Sequence, residues 1–208
     1  MSEIDVDIIA INETWIREGE EGLAPVVPGY RLLHKPRPAN VRGGRGGGVG
    51  FYIKKTIKIK ILDHPNLQPV EQMWLTTKIN GKRITIGSAY RPPWQDVNLF
   101  LEALTQSVTN FSDCDNIVLL GDFNINLLNP YDNKSKLFND FIQCVNLAQL
   151  VTDPTHYTDH SKTLIDLFCT DAKVREVSVK HIPELGNHAM IIASLNMKKD
   201  KIKPSWAI

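Results

Sequence analysis

Cysteine is scarce in this 208-residue chain: Cys114, Cys144 and Cys169 make an odd count of three, and no two share a CxxC spacing. That argues against a disulfide framework and for reduced thiols in an intracellular setting. Cys144 and Cys169 lie in apolar runs and read as small core residues. Long hydrophobic runs are lacking as well. No segment is apolar for the roughly 20 residues a bilayer requires, and acidic residues stand near the N-terminus where a signal peptide would be basic. The expectation is a soluble protein of the nucleus or cytoplasm, with no membrane partner. Net charge is almost absent, +1 from 24 basic and 23 acidic residues, so the total says nothing for or against nucleic acid.

The distribution of charge says more. Between Lys35 and Lys60 the chain has Lys35, Arg37, Arg42, Arg45, Lys54, Lys55, Lys58 and Lys60 and no acidic residue. Acidic residues gather instead near the ends of predicted strands. A basic surface beside an acidic site suits a polyanion held while a cation does chemistry; a solvated hairpin rim is the plainer reading. The glycines between Gly43 and Gly50 lack the GKS or GKT ending of a nucleotide loop and lead into a strand. They read as a turn, with Gly48 and Gly50 permitting close backbone approach. Arg42 and Arg45 on that turn are candidate DNA contacts.

The 42% hydrophobic content supports one domain over residues 1–196, with 197–208 as a basic tail. Buried strands are predicted at Val6 to Ile11 and Val49 to Ile53, and a short one within residues 29–34. Lys54 to Leu62 alternates like a half-buried antiparallel strand with a cationic outer face. Val70 to Ile79 and Arg83 to Ala89 flank Asn80-Gly81, the strongest hairpin signal in the chain. Asp96 caps a helix to about Val108 with Leu99, Phe100, Ala103 and Leu104 inward. A second helix, Ser135 to Ala148, uses Leu137, Phe138, Phe141, Ile142 and Val145. Lys162 to Cys169, Ser178 to Ile182 and a final strand after His188 complete the pattern. Trp15 and Ile16 read as core.

Carboxylates recur at strand ends. Glu13 follows Val6 to Ile11, and a buried carboxylate there needs a partner or a metal; as a solvated turn residue it needs neither. Asn116 to Asn124 (NIVLLGDFN) is a core strand, a glycine exit, then Asp122 and Asn124 on one side with Phe123 turned inward. Tyr90 and Arg91 stand where Pro92 and Pro93 stop a strand. Asp166 interrupts an apolar strand and calls for a fixed donor, for which His188, after Asn187, is the obvious partner. His156 and His160 read as a solvated loop, apart from that setting.

In this order the motifs ETW (13–15), GGGVGFYI (46–53), AYRPP (89–93), GDFN (121–124), SKTLIDLF (161–168) and NH (187–188) resemble the endonuclease/exonuclease/phosphatase superfamily. More narrowly, they are similar to the apurinic-type endonuclease domain of jockey-like non-LTR retrotransposons. The resemblance implies an α/β fold, a four-layer sandwich of two packed, mostly antiparallel sheets with outer helices (DNase I-like). It implies Mg²⁺-dependent nicking of DNA, with Mn²⁺ as the substitute ion, leaving a 3′-hydroxyl for target-primed reverse transcription. Glu13 would then bind the metal, with Asp122 and Asn187 as further candidates. Asp122 would orient or deprotonate the water, Asn124 would hold water or a phosphate oxygen, and Tyr90 would touch the scissile phosphate. His188, fixed by Asp166, would offset charge on that phosphate, and Arg91 would join Arg42 and Arg45 against DNA. A monomer with no small-molecule cofactor is implied.

The chain departs from the family pattern in three places. The family's first strand, with its Asn, has no counterpart before Val6; Asn187 stands where the family has Asp; and His156 follows Thr155 where relatives often have Arg. Weakened cleavage is therefore expected, the alternative being a transposon-derived remnant that binds DNA or a protein without chemistry.

Overall fold

Alternating apolar residues build a strand-rich molecule, and the computed structural model describes residues 5–64, 70–182 and 186–197. Strands β1 (Ile8–Asn12), β2 (Tyr30–Lys35) and β3 (Val49–Lys54) form an antiparallel sheet in the order β1-β3-β2. A larger sheet contains β4 (Ile59–Leu62), β5 (Glu71–Ile79), β6 (Lys82–Tyr90), β7 (Asn116–Asp122), β8 (Ala148–Gln149) and, further along the chain, β11 (Asp166–Thr170). Its order is β4-β5-β6-β7-β11-β8. Two ribbons stand apart: β9 (His156–Tyr157) with β10 (Lys162–Thr163), and β12 (Val174–His181) with β13 (Ala189–Leu195). Among the described residues only the β6–β7 pair is parallel. Its connection carries helix α1 (Val97–Asn110), because a parallel crossover needs a long return. Helix α2 (Asn133–Cys144) follows β7 and packs against α1.

The two sheets pack against each other, β1 on β6 and β7 and β3 on β5 and β6. Phe51 and Ile53 of β3, Trp74 and Leu75 of β5, and Phe100 and Leu104 of α1 all belong to one buried cluster. This is the mixed α/β sandwich that the sequence predicts. Asn80 and Gly81 both take positive φ, 51° and 80°, as the tight β5–β6 turn requires. Asp96 caps α1 by accepting from the Leu99 amide at 3.0 Å, and Asp132 caps α2 through Lys134 at 3.1 Å. No described helix is long and apolar enough to cross a membrane.

Several expectations shift. Lys162 to Cys169 is two strands, because the Asn126 carboxamide takes the Leu164 amide (3.1 Å) and the Thr155 hydroxyl takes that of Ile165 (3.2 Å). Asp166 therefore opens β11 instead of interrupting a strand. The alternating Lys-Ile segment contributes only Ile59–Leu62, and α2 starts at Asn133 and ends at Cys144. Cys144 is exposed at that helix end, since Phe138 and Phe141 take the core face; Cys169 is buried, and all three thiols are free. Leu99, at 41% exposure, lies outside the buried face of α1. Trp15 is 68% exposed: Glu13 and Trp15 both take left-handed φ (53° and 57°), which bends the chain out after β1. Most of the predicted basic tail, residues 198–208, lies outside the described residues.

Candidate active site

The β7 strand ends at Asp122, where the chain enters a turn held from several sides. Gly121 has φ of 141°, and a Cβ there would sit 1.9 Å from the Ala89 carbonyl oxygen of β6, so only glycine fits. Phe123 is fully buried, its ring 5.2 Å from that of Phe100 and 5.9 Å from that of Phe138. That anchor brings Asp122 and Asn124 together, although by a left-handed Asn124 (φ 49°) and not by continued strand alternation. The Asn124 amide donates to Asp122 Oδ1 at 2.9 Å and its Nδ2 to Oδ2 at 3.2 Å. From the facing sheet, Asn12 Oδ1 accepts the Asp122 amide at 3.1 Å, and its Nδ2 donates to Ser88 Oγ at 3.2 Å.

Asp166 is the register partner of Asp122 across β7 and β11. Its amide is held by Thr155 Oγ1 at 2.9 Å, and its Oδ2 lies 3.0 Å from His188 Nδ1. One ligand atom from each of Asp122, Asp166 and His188 falls within 4.8 Å of the others, which makes them a candidate metal group among the described residues. The electrostatics agree. Burial, and then the charge of Asp166, raise the Asp122 carboxyl to about 7, as expected for two carboxylates without enough positive charge between them. His188 is raised by its bond to Asp166. His156 joins this group: its ring lies 4.6 Å from that of His188, and burial lowers its basicity.

Glu13 approaches from β1, where its Oε1 accepts the Tyr90 hydroxyl. Tyr90 is buried, and burial with the neighbouring Glu13 holds its hydroxyl far above the usual range. The turn carrying Glu13 is braced by the glycine loop, since the Thr14 and Trp15 amides donate to Gly48 and Gly47 carbonyls at 3.4 and 3.0 Å. Thr14 Oγ1 also meets His34 Nε2 at 2.7 Å. A buried ion pair fixes that loop in turn. Glu71 accepts Arg37 Nε at 2.7 Å and the Gly48 amide at 2.5 Å, while Arg37 Nη1 donates to the Arg45 carbonyl at 2.6 Å. A Cβ on Gly47 would lie 2.2 Å from Glu71 Oε2, so the loop closes on the carboxylate only as glycine.

A carboxylate pair, a histidine held by one of them, and a tyrosine-bound glutamate thus meet where the two sheets touch. The sequence model of the Endonuclease/Exonuclease/phosphatase family matches residues 1–205 of this chain. The chain belongs to that family. Solved structures agree on the fold. The endonuclease domain of TRAS1, a telomere-specific non-LTR retrotransposon, superposes with a TM-score of 0.73 at 14% identity, covering 93% of this chain and 88% of its own. The 3′-5′ exonuclease NExo from Neisseria meningitidis gives 0.67 at 14%, with 93% and 90% covered. An AP endonuclease from Archaeoglobus fulgidus gives 0.63 at 13%, with 92% and 89% covered. No curated protein matches in sequence.

Within this family member, the expected site residues fall into three groups. Asp122, Asn124, Asp166 and His188 converge, with Glu13 and Tyr90 bonded to each other beside them. Glu13 stands outside the 4.8 Å group, although its charge acts on both Asp122 and His188. Asn187 is exposed next to His188, with its carbonyl accepting the Tyr157 amide at 2.9 Å. Arg42 and Arg45 are exposed on the glycine turn. Arg91 is a correction: it is 1% exposed and cannot reach DNA. Its guanidinium donates to the carbonyls of Phe123 and Asn124 at 2.7 Å each and to Gln95 at 2.5 Å, clamping the turn from inside. Asn12, Glu71 and Thr155 are unmarked as site residues in the sequence, and His156, which reads there as a solvated loop residue, instead lies against His188. The polar ends of Asn12 and Glu71 beside apolar runs were the available signal; nothing local marks Thr155, and for His156 the signal is its place where relatives often have Arg.

Proposed function

We propose that the protein nicks DNA by metal-dependent hydrolysis of a phosphodiester, as in target-primed reverse transcription of a retrotransposon. The observation that carries the reading is the meeting of Asp122, Asp166 and His188 at paired strand ends, with Glu13 and Tyr90 beside them. Family membership and likeness in fold to a retrotransposon endonuclease domain support it.

Asp122 is the base. Burial and the charge of Asp166 raise the affinity of its carboxylate for a proton, which suits it to accept the one the attacking water gives up. Asn124 donates its backbone amide and its Nδ2 to that carboxylate, and Nδ2 donates as well to the Arg91 carbonyl at 2.9 Å, so a side chain fixed at both ends aims the base. The water oxygen forms a bond to phosphorus while the bond from phosphorus to the 3′ oxygen breaks. The departing oxygen takes up a proton, leaving a 3′-hydroxyl and a 5′-phosphate. His188, whose protonated form the bond to Asp166 favours, faces the negative charge that builds on the phosphate. Tyr90 holds Glu13 in place. The carboxylate oxygens of Asp122 and Asp166, with the charge of Glu13 acting on Asp122, fit a hard cation such as Mg²⁺ or Mn²⁺, and the unbalanced pair favours one. Such an ion would supply positive charge to the pentacoordinate phosphate.

Supercoiled plasmid nicking in Mg²⁺ tests this on the native chain, Asp122→Ala and Asn187→Asp. Native nicking that falls at least about 100-fold in Asp122→Ala is expected; equal nicking by both folded proteins would sink the assignment. A second reading, DNA binding without cleavage, is favoured by Asn187, whose carboxamide brings no charge to the site. Activity that emerges only in Asn187→Asp would establish that reading for the native chain.

A further inference from the structure

Two large indoles lie in solvent beside this site, and the proposed cleavage uses neither. Trp94 is 45% exposed and Trp15 is 68% exposed. The Arg42 guanidinium lies over the Trp94 ring, 4.4 Å from its centroid, and that of Arg37 lies 5.7 Å away. Arg37 also borders the second indole: the Cβ position of Gly46 is 3.2 Å from Arg37 Nη1 and 3.6 Å from the Trp15 ring. Arg37 is bonded to Glu71, which is the cross-strand partner of Tyr90, which bonds Glu13. Trp94 is therefore linked to Glu13 through Arg37, Glu71 and Tyr90, and Trp15 stands two residues after Glu13 in the chain.

A core role does not explain such exposure, and phosphate binding requires cations, not rings. Fully paired DNA hides the faces of its bases, so an indole gains little from it. An unpaired base offers a π-face, and aromatic rings next to arginines are the recurring means of holding one without regard to sequence. The charge matches: Arg42 and Arg45 are exposed on this loop, within a stretch from Lys35 to Lys60 that has no acidic residue.

We propose that Trp94, with Arg42 over its ring and Trp15 close to Arg37, is a stacking platform for an unpaired DNA base beside the cleaved phosphate. The proposal rests on the nuclease reading for its DNA ligand but not on catalysis. It gives the substrate a preferred form, DNA that is single-stranded or has an extruded base near the cut.

The test is fluorescence anisotropy in EDTA at low salt, with a labelled oligonucleotide as a single strand, as a full duplex, and as a duplex with one extra unpaired base. Trp94→Ala is expected to weaken the single strand and the bulged duplex about ten-fold while changing the paired duplex less than about two-fold. Trp94→Phe should retain most of the preference. Trp94→Leu, which keeps bulk without a flat face, carries the same expectation if the alanine variant does not fold. Equal loss on all three DNAs, no change on any, or no single-strand binding by the folded native chain would each overturn the platform. Because no metal is present, these outcomes stand apart from plasmid nicking, and a chain that binds but never nicks fails only the earlier proposal.

Discussion

Asp122 reports the electrostatic state of the site in isolation. Its carboxyl moves from 3.8 to about 7 in the folded chain, so across that interval the native protein holds a proton that the unfolded chain has lost. The contribution to stability is therefore present at low pH and declines as pH rises from about 4 to about 7. His188 works in the same direction: its raised pKa stabilises the fold below the ordinary 6.5, and that help is lost as pH climbs through the raised value. In EDTA, native stability relative to Asp122→Asn should fall by on the order of 2 kcal/mol between pH 4.5 and 7.5. Thermal unfolding at stepped pH reads this directly, and parallel curves for the two proteins would contradict it. Adding Mg²⁺ at the upper pH should restore stability to the native chain more than to the variant, because the ion replaces the lost protons as the source of positive charge.

At the level of elements, the glycine loop that braces the β1 turn is itself held by the Arg37–Glu71 pair, whose side chains are 6% and 4% exposed. Burial pushes the Glu71 carboxyl up despite its bonds to Arg37 and Gly48, so desolvation outweighs pairing here. Removing one partner strands the other: Arg37→Ala should cost about 3–5 kcal/mol in urea unfolding. Arg37→Ala combined with Glu71→Ala should recover a good part of that, and simple additivity would show that the two do not act as a pair. Neither member was legible as a site residue in the sequence, because their meeting depends on chain folded back across 34 positions. The elements themselves were legible. Apolar runs located β3 and β7, alternation on either side of Asn80-Gly81 located β5 and β6 and their hairpin, and Asp96 gave the start of α1, since each of these is decided by neighbours along the chain. The break before Asp166 was invisible for the opposite reason, as Asn126 reaches the Leu164 amide from 38 residues away. Trp15 was misplaced because apolarity predicts burial, whereas two left-handed residues decide its direction.

For the molecule as a whole, the buried cluster centres on the large sheet and α1, while β12 and β13 contribute only half-buried residues to its margin. Hydrogen exchange should follow that gradient, with amides of β5, β6 and β7 protected longest and the β12–β13 ribbon exchanging well before them. Uniform protection across both would show that the ribbon is as firmly docked as the centre. His188 stands at the head of β13, so the gradient also places one site residue on the less protected part and Asp122 on the most protected. Arg91 adds a different consequence. Asp122 or His188 can shed charge by gaining or losing a proton when its surroundings are incomplete, but a guanidinium cannot. Arg91 can leave water only when the carbonyls of Phe123, Asn124 and Gln95 are all in position to receive it. The turn that aims the proposed base therefore has no half-assembled version: each molecule either has it complete or lacks it, and loss of activity on denaturation should appear as fewer working molecules, each at full speed.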